Sequence, residues 1–251
     1  MDLELEGKRA LVTGGSLGIG RAVATALARE GAEVAIAARD RTRLDAAAAE
    51  ISALTGSRVE GFVVDTAHEA SVIDCVASVV GAFGGVDILV NAAAKAGGRS
   101  APPSYDQITT EAFFEEMNVK VMGYLRCAQQ VAPHMINRGW GRIINISGLA
   151  ARQAGTVVGS MRNVAVSALT KNLADALGPY GINVTVVHPG ITVTEATTPE
   201  VLERPATNVV GRLITAEEVA NVVAFLASPK SSPMTGDAVA VGGGVPRAIY
   251  Y

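Results

Sequence analysis

Seven short runs of β-branched and aliphatic residues, at 9–13, 33–38, 58–65, 86–91, 142–147, 183–188 and 237–241, recur along the 251-residue chain, and longer stretches with helical patterning separate them. Strands that alternate with helices imply right-handed crossovers and a parallel sheet covered on both faces. Strands buried on both sides need small and branched apolar residues. The composition supplies them, at 49% hydrophobic with only 4% aromatic, so the core falls to Ala, Val, Ile and Leu. The expected fold class is α/β, a doubly wound sheet of seven parallel strands in a single domain spanning 1–251. The alanine-rich piece at 45–53 reads as a surface helix, because Leu44, Ile51 and Leu54 fall at helical spacing. Two stretches break the rhythm, at 96–107 and 192–212. Both follow strand C-terminal ends, where open parallel sheets bind ligands, and both are candidate lids.

A formal charge of −3 gives no sustained basic field, which argues against nucleic acid and anionic membrane surfaces and leaves a small molecule as the expected partner. The first eight residues carry more acid than base, and no later run approaches the ~18 apolar residues of a membrane span. A cytoplasmic location is expected. Cys75 and Cys127 stand singly in helical segments without metal-ligand spacing, so they read as buried thiols and no metal site is expected.

The first strand runs through Thr13, Gly14, Gly15, Ser16, Leu17, Gly18, Ile19 and Gly20 into the helical pattern at 21–29. Strand, glycine turn and helix in that order form a Rossmann-like phosphate site. The glycines allow the backbone to approach a pyrophosphate, and the amides and dipole of the helix N-terminus favour its charge. Gly14, Ser16, Leu17, Gly18, Ile19 and Gly20 are therefore expected around a dinucleotide. The second strand ends in Ala38-Arg39. A guanidinium there, with no acid at the ribose position, favours NADP(H) over NAD(H), although NAD(H) stays open.

The spacing Thr13-Gly14-x-x-x-Gly18-x-Gly20 resembles the short-chain dehydrogenase/reductase family, and further motifs follow in order. They are Asp65 at the close of the third strand, Asn91-Ala92-Ala93-Ala94, Asn118-Val119, Leu169-Thr170-Lys171, Pro189-Gly190 with Thr192 and Thr194, Phe225-Leu226-Ala227-Ser228 and Gly243-Gly244. The resemblance implies an NAD(P)-dependent oxidoreductase of a small carbonyl or alcohol. It places Asp65 on the adenine amine, Asn91 in the cofactor site, and Pro189, Gly190, Thr192 and Thr194 in the nicotinamide-side loop. Asn118 would be the family's helix asparagine, or would simply bond backbone across a helix irregularity. Leu17 stands where NADP-binding relatives often carry a basic residue, a gap that Arg41 or Arg43 would have to fill. The helices at 111–138 and 157–177 would form contacts in a homodimer or homotetramer.

In this family a tyrosine, and a lysine four residues later, carry the proton chemistry beside a serine. Here the register set by Leu169-Thr170-Lys171 places Gly159 and Asn163 at those two positions. None of Tyr105, Tyr124, Tyr180, Tyr250 and Tyr251 has a lysine four residues on. Gly148 stands at the usual serine, with Ser147 before it as a substitute. Loss of a general acid removes about 10²- to 10⁴-fold in rate, so an enzyme on this scaffold needs another donor. The candidate catalytic residues are Asn118, Ser147 and Lys95, the last a cation on the loop after Asn91. Arg152 and Arg162 read as solvated or as anion binders, His188 as structural, and Lys120 and Lys171 as ordinary helix-surface residues. Three functions stay open: an oxidoreductase with a non-standard proton donor, a non-redox lyase, dehydratase or isomerase, and a catalytically silent nucleotide-binding protein.

Overall fold

In the computed structural model, residues 1–94 and 103–246 are described. The apolar runs form strands β1 (Arg9–Thr13), β2 (Glu33–Ala38), β3 (Val59–Val63), β4 (Ile88–Asn91), β5 (Gly141–Ile146) and β6 (Ile182–Pro189). Two two-residue strands follow, β7 (Thr192–Val193) and β8 (Ile214–Thr215), before the last strand, β9 (Ala238–Val241). The main sheet has the order β3-β2-β1-β4-β5-β6-β9, and every pairing in it is parallel. This is the seven-stranded Rossmann-like sheet expected from the sequence.

Alternation along each strand sends side chains to opposite faces. Val34 and Ile36 of β2 join one core cluster, while Ala35 and Ala37 join the other. On the first face Val23 and Leu27 of α1 (Gly18–Arg29) and Leu44 and Ile51 of α2 (Arg41–Thr55) close over the sheet. The opposite face is covered by Val72, Val76 and Val79 of α3 (Glu69–Phe83), with further helices beyond it. The alanine-rich segment is the buried middle of α2: its stripe is Leu44, Ala47, Ala48 and Ile51, whereas Leu54 is 62% exposed. Cys75 and Cys127 are buried free thiols, pushed up to about 12 chiefly by that burial.

The helical stretch expected at 111–138 is not one helix. It divides into α4 (Thr110–Met117), a π-helical turn (Asn118–Met122) and α5 (Gly123–Ile136). Next come α6 (Val157–Leu177), the short α7 (Pro199–Leu202) and α8 (Ala216–Ala227), whose Val219 and Val223 complete the first face. The segment 192–212 is tied down at its base, since β7 pairs with β8.

At the N-terminal edge of the sheet, Asp87 accepts from Arg9 Nε at 2.7 Å and from Arg9 Nη2 at 2.5 Å, and Arg138 Nη1 stands 3.3 Å away. Burial raises the carboxyl's pKa, but the bonds and charge of Arg9, with Arg138, outweigh it and hold Asp87 below the usual carboxylate range. A carboxylate with a depressed folded-state pKa stabilises fully above its unfolded value and loses that contribution as pH falls. Asp87→Asn is therefore expected to cost about 2 kcal/mol at pH 7. Chemical denaturation at pH 7 and at pH 3 checks this: the difference between variant and native protein should shrink at the lower pH.

Candidate active site

At the C-terminal edge of the sheet, β1 and β4 diverge toward helices on opposite faces, and a cleft of about 1170 Å³ opens there. The turn after β1 forms one wall. Gly14 has φ +71°, and a Cβ on it would come within 2.9 Å of the Ala92 carbonyl carbon. Gly20 packs against the Gly14 carbonyl so closely that a Cβ would approach its oxygen to 2.2 Å. Thr13 fastens the two strand ends by accepting from the amides of Ala92 and Ala93 at 3.2 and 3.3 Å. The α1 cap residue, Leu17, offers no side-chain acceptor to the first helical turn.

Gly14, Ser16, Leu17, Gly18, Ile19, Gly20, Arg39, Asp65, Pro189, Gly190, Thr192 and Thr194 all line this cleft. Arg39 is exposed and has no partner among the described residues, whereas Arg43 also lines the cleft but lies 3.3 Å from Asp40. Arg41 is turned to Asp45 at 2.9 Å. Asn91 stands apart from these residues. Fully buried beneath the floor, it donates to Asn145 Oδ1 at 2.9 Å, and Asn145 donates in turn to Thr170 Oγ1 at 2.9 Å. It braces β4 against β5 and α6 instead of lining the cleft.

The residues expected to carry chemistry are arranged differently from the sequence reading. Lys95 lies outside the described residues. Asn118 is not on the cleft wall: its Nδ2 donates to the Ala67 carbonyl at 3.2 Å, which holds the π-helical turn against the loop after β3. Two carbonyls of that turn also accept from side chains, Val119 O from Thr66 Oγ1 at 3.1 Å and Asn118 O from Arg126 at 3.4 Å. Such a turn shifts the helix register locally. Here it carries Lys120 inward.

Lys120 is 4% exposed, not the surface residue its type suggests, and it lines the cleft. Its Nζ donates to Ser147 O at 3.0 Å and to Asn163 Oδ1 at 3.1 Å. Burial pulls its pKa down from the ordinary lysine range to about 7; the Arg162 cation acts in the same direction and Glu116 opposes it. A signal for this burial was present in the sequence. Lys120, Tyr124, Cys127, Val131 and Met135 follow at intervals of four, three, four and four, the stripe of a core-facing helix, and all are buried.

Ser147 lines the cleft, but its hydroxyl is committed to the Asn163 carbonyl at 3.0 Å. Tyr124 also reaches the wall, with its hydroxyl spent on Ile146 O at 2.9 Å and its pKa raised by burial above the ordinary tyrosine value. Arg162 is not a solvated residue: its side chain is 16% exposed and it forms an ion pair with Glu116 at the cleft. Arg152 donates to Ala238 O at 3.0 Å, and Lys171 remains exposed and paired with Asp175. His188 is buried beside Ser167 Oγ at 3.5 Å and falls to about 4, chiefly through burial, so it is neutral at pH 7.

A protein-family model described as "Enoyl-(Acyl carrier protein) reductase" matches residues 14–246. The chain is 37% identical to a short-chain reductase protein of Streptomyces niveus, over 94% of this chain and 93% of that one. It is 33% identical to the 3-oxoacyl-(acyl-carrier-protein) reductase of Aquifex aeolicus, over 98% and 100% respectively. Among solved structures, L-sorbose reductase from Gluconobacter frateurii, complexed with NADPH and L-sorbose, superimposes with a TM-score of 0.91 at 29% identity, covering 99% of this chain and 100% of that one. A match along the whole sheet, glycine turn and closing segments leads to one conclusion: the chain belongs to the short-chain dehydrogenase/reductase family.

Proposed function

We propose that this protein is an NADP(H)-linked oxidoreductase of a small carbonyl or alcohol substrate, working without the family's tyrosine and lysine. The observation that carries the reading is the wall formed by the glycine turn, with Gly20 packed on the Gly14 carbonyl and, beside it, a first turn of α1 that its own cap residue leaves without a side-chain acceptor. That wall fits a pyrophosphate. An anion from the chain itself already stands there, since Glu195 Oε1 accepts from the Gly18 amide at 2.9 Å and lies 3.9 Å from Arg21 Nη1. The carboxylate marks the helix end as an anion site.

Within this reading Arg39 is placed to take a 2'-phosphate, Asp65 faces the adenine, and Pro189, Gly190, Thr192 and Thr194 flank the nicotinamide side. Asn91 supports the floor. A nicotinamide held in the cleft supplies or accepts the hydride. The protein's part is to position the carbonyl near Gly148 and Ser147, exclude water with the segment at 192–212, and move one proton. Relatives named as a 3-oxoacyl thioester reductase and an L-sorbose reductase support carbonyl chemistry and an NADPH preference.

The test uses NADPH carrying deuterium at the transferable C4 position, with an acetoacetyl thioester and L-sorbose as probes. Deuterium in the product alcohol is expected. Bound NADPH with no deuterium in either product would favour the non-redox or silent alternatives. The position of Glu195 gives a second expectation. A carboxylate facing a pyrophosphate across a few ångströms costs about 1 kcal/mol when partly screened, so Glu195→Gln should tighten NADPH binding about fivefold by fluorescence titration. Weaker binding would show that Glu195 helps to close the lid over the cofactor.

A homo-oligomer also belongs to this reading. Val157, Met161 and Val164 of α6 form an exposed apolar stripe, and Phe114 of α4 and Met122 of the π-helical turn are exposed as well. Surface apolar groups arranged along a helix in this way mark a contact face. Light scattering should show a dimer or tetramer that Met161→Glu shifts toward monomer; an unchanged mass would place the contact elsewhere.

A further inference from the structure

We propose that Lys120 is the proton-carrying group of the cleft, giving a proton to the substrate's carbonyl oxygen during reduction and taking one from the alcohol during oxidation. The proposal rests on the oxidoreductase reading above and names the donor that reading lacks.

Two of this chain's departures from the family pattern, Asn163 and Gly148, stand with Ser147 around one amine. Asn163, at the family's lysine position, presents Oδ1 to Lys120 Nζ at 3.1 Å. Ser147 turns its carbonyl to the same nitrogen at 3.0 Å. Gly148, at the usual serine position, lies so close to Asn163 that a Cβ would stand 3.0 Å from its Nδ2. A side chain at 148 would therefore press on the amide that holds the amine. A lysine at 163 would set a second cation against the first in a buried place, whereas asparagine supplies a neutral acceptor. The cation has in effect moved from α6 to the π-helical turn, and the positions around it suit its new origin.

The surroundings leave Lys120 able to gain and lose a proton. Both acceptors are neutral oxygens, and no carboxylate of the described residues bonds it. The third N–H has no partner among the described residues, and Lys120 lines the open cleft. The charged and titratable groups near it are accounted for element by element. Arg162 of α6 is paired with Glu116 of α4, Tyr124 of α5 is tied to Ile146 O, and His188 of β6 is neutral at pH 7. With its pKa at about 7, the amine populates both forms at the pH where a general acid or base works best.

The step balances. As the hydride reaches the carbonyl carbon, the C=O π pair moves onto oxygen, a new O–H bond forms, and one N–H bond of the ammonium breaks. Neutral lysine remains and regains its proton from water. Alcohol oxidation runs the same sequence in reverse.

The test begins on the protein without substrate, with lysine labelled at ¹³Cε and the Lys120 signal assigned by its absence from Lys120→Met. That signal should titrate near pH 7, and the pH profile of kcat/KM with the acetoacetyl thioester should show a limb at the same value. Lys120→Met should lower kcat by about 10²- to 10⁴-fold, with NADPH affinity retained within about threefold by fluorescence titration. Lys120→Arg keeps the charge without releasing the proton, and it should be as slow and lack the limb. In Lys120→Ala, added ethylamine should restore part of the turnover. A signal titrating above pH 10 overturns the proposal, as does wild-type turnover in Lys120→Met, or a loss that ethylamine does not repair and that leaves the limb intact in Lys120→Arg. Absence of deuterium transfer by the native protein defeats the oxidoreductase reading itself, whereas these outcomes in a protein that does transfer deuterium defeat the role of Lys120 alone.

Discussion

The approach of Gly20 to the Gly14 carbonyl is too close for any side chain, and the rest of the site is built outward from it. It lets β1 pass into α1 in a single turn, so the helix N-terminus faces the edge where β1 and β4 part. Thr13 then fixes β4 by accepting two of its loop amides. The buried relay Asn91, Asn145 and Thr170 carries that alignment across β5 to α6. The two links of that relay are hydrogen bonds between fully buried groups, where losing a partner would be costly. The floor of the cleft is therefore rigid, while its chemical wall comes from helices packed above it.

That division explains how the proton site can change while the cleft persists. The glycine turn depends on backbone geometry, which tolerates few substitutions. The wall depends on side chains whose positions are interchangeable, provided that one buried cation meets neutral acceptors. A second ammonium beside Lys120 would add the cost of burying an unpaired charge. On the proposal above, asparagine on α6 and lysine on the π-helical turn answer one electrostatic constraint. The hydroxyls of Ser147 and Tyr124 both donate to backbone carbonyls, of Asn163 and Ile146 respectively.

The sheet was legible because alternation and burial use the same residues. Val34 and Ile36 against Ala35 and Ala37 announce two covered faces in the sequence itself. The strand ends were less so: the third run extends in sequence to Asp65, while β3 ends at Val63, because after a last bond from the Val64 amide to Ala38 O the Asp65 amide turns to Ser71 Oγ. The lining of the cleft by the residues of the glycine turn followed from their spacing. Asn91, in contrast, was expected in the cofactor site and is buried without lining the cleft, since a strand-end residue reaches the cleft or the sheet interior according to a register that its type does not reveal. Asn118 takes one of its two expected roles, bonding backbone at a helix irregularity, whereas Lys120 leaves its expected place on the helix surface for a related reason. A π-helical turn rotates the residues within it, and its causes, Thr66, Ala67 and Arg126, lie outside the helix segment being read. The stripe through Tyr124, Cys127 and Val131 did point at Lys120, but the usual exposure of lysine masked it.

A dinucleotide cleft is the central element of the site, and the most direct measurement is a fluorescence titration of the native protein with NADPH and with NADH in one buffer. Micromolar or tighter binding of NADPH, and weaker binding of NADH, is the predicted result, because Arg39 at the end of β2 lines the cleft and has no partner among the described residues. Binding of neither nucleotide would contradict the account at its base and leave the cleft to another ligand.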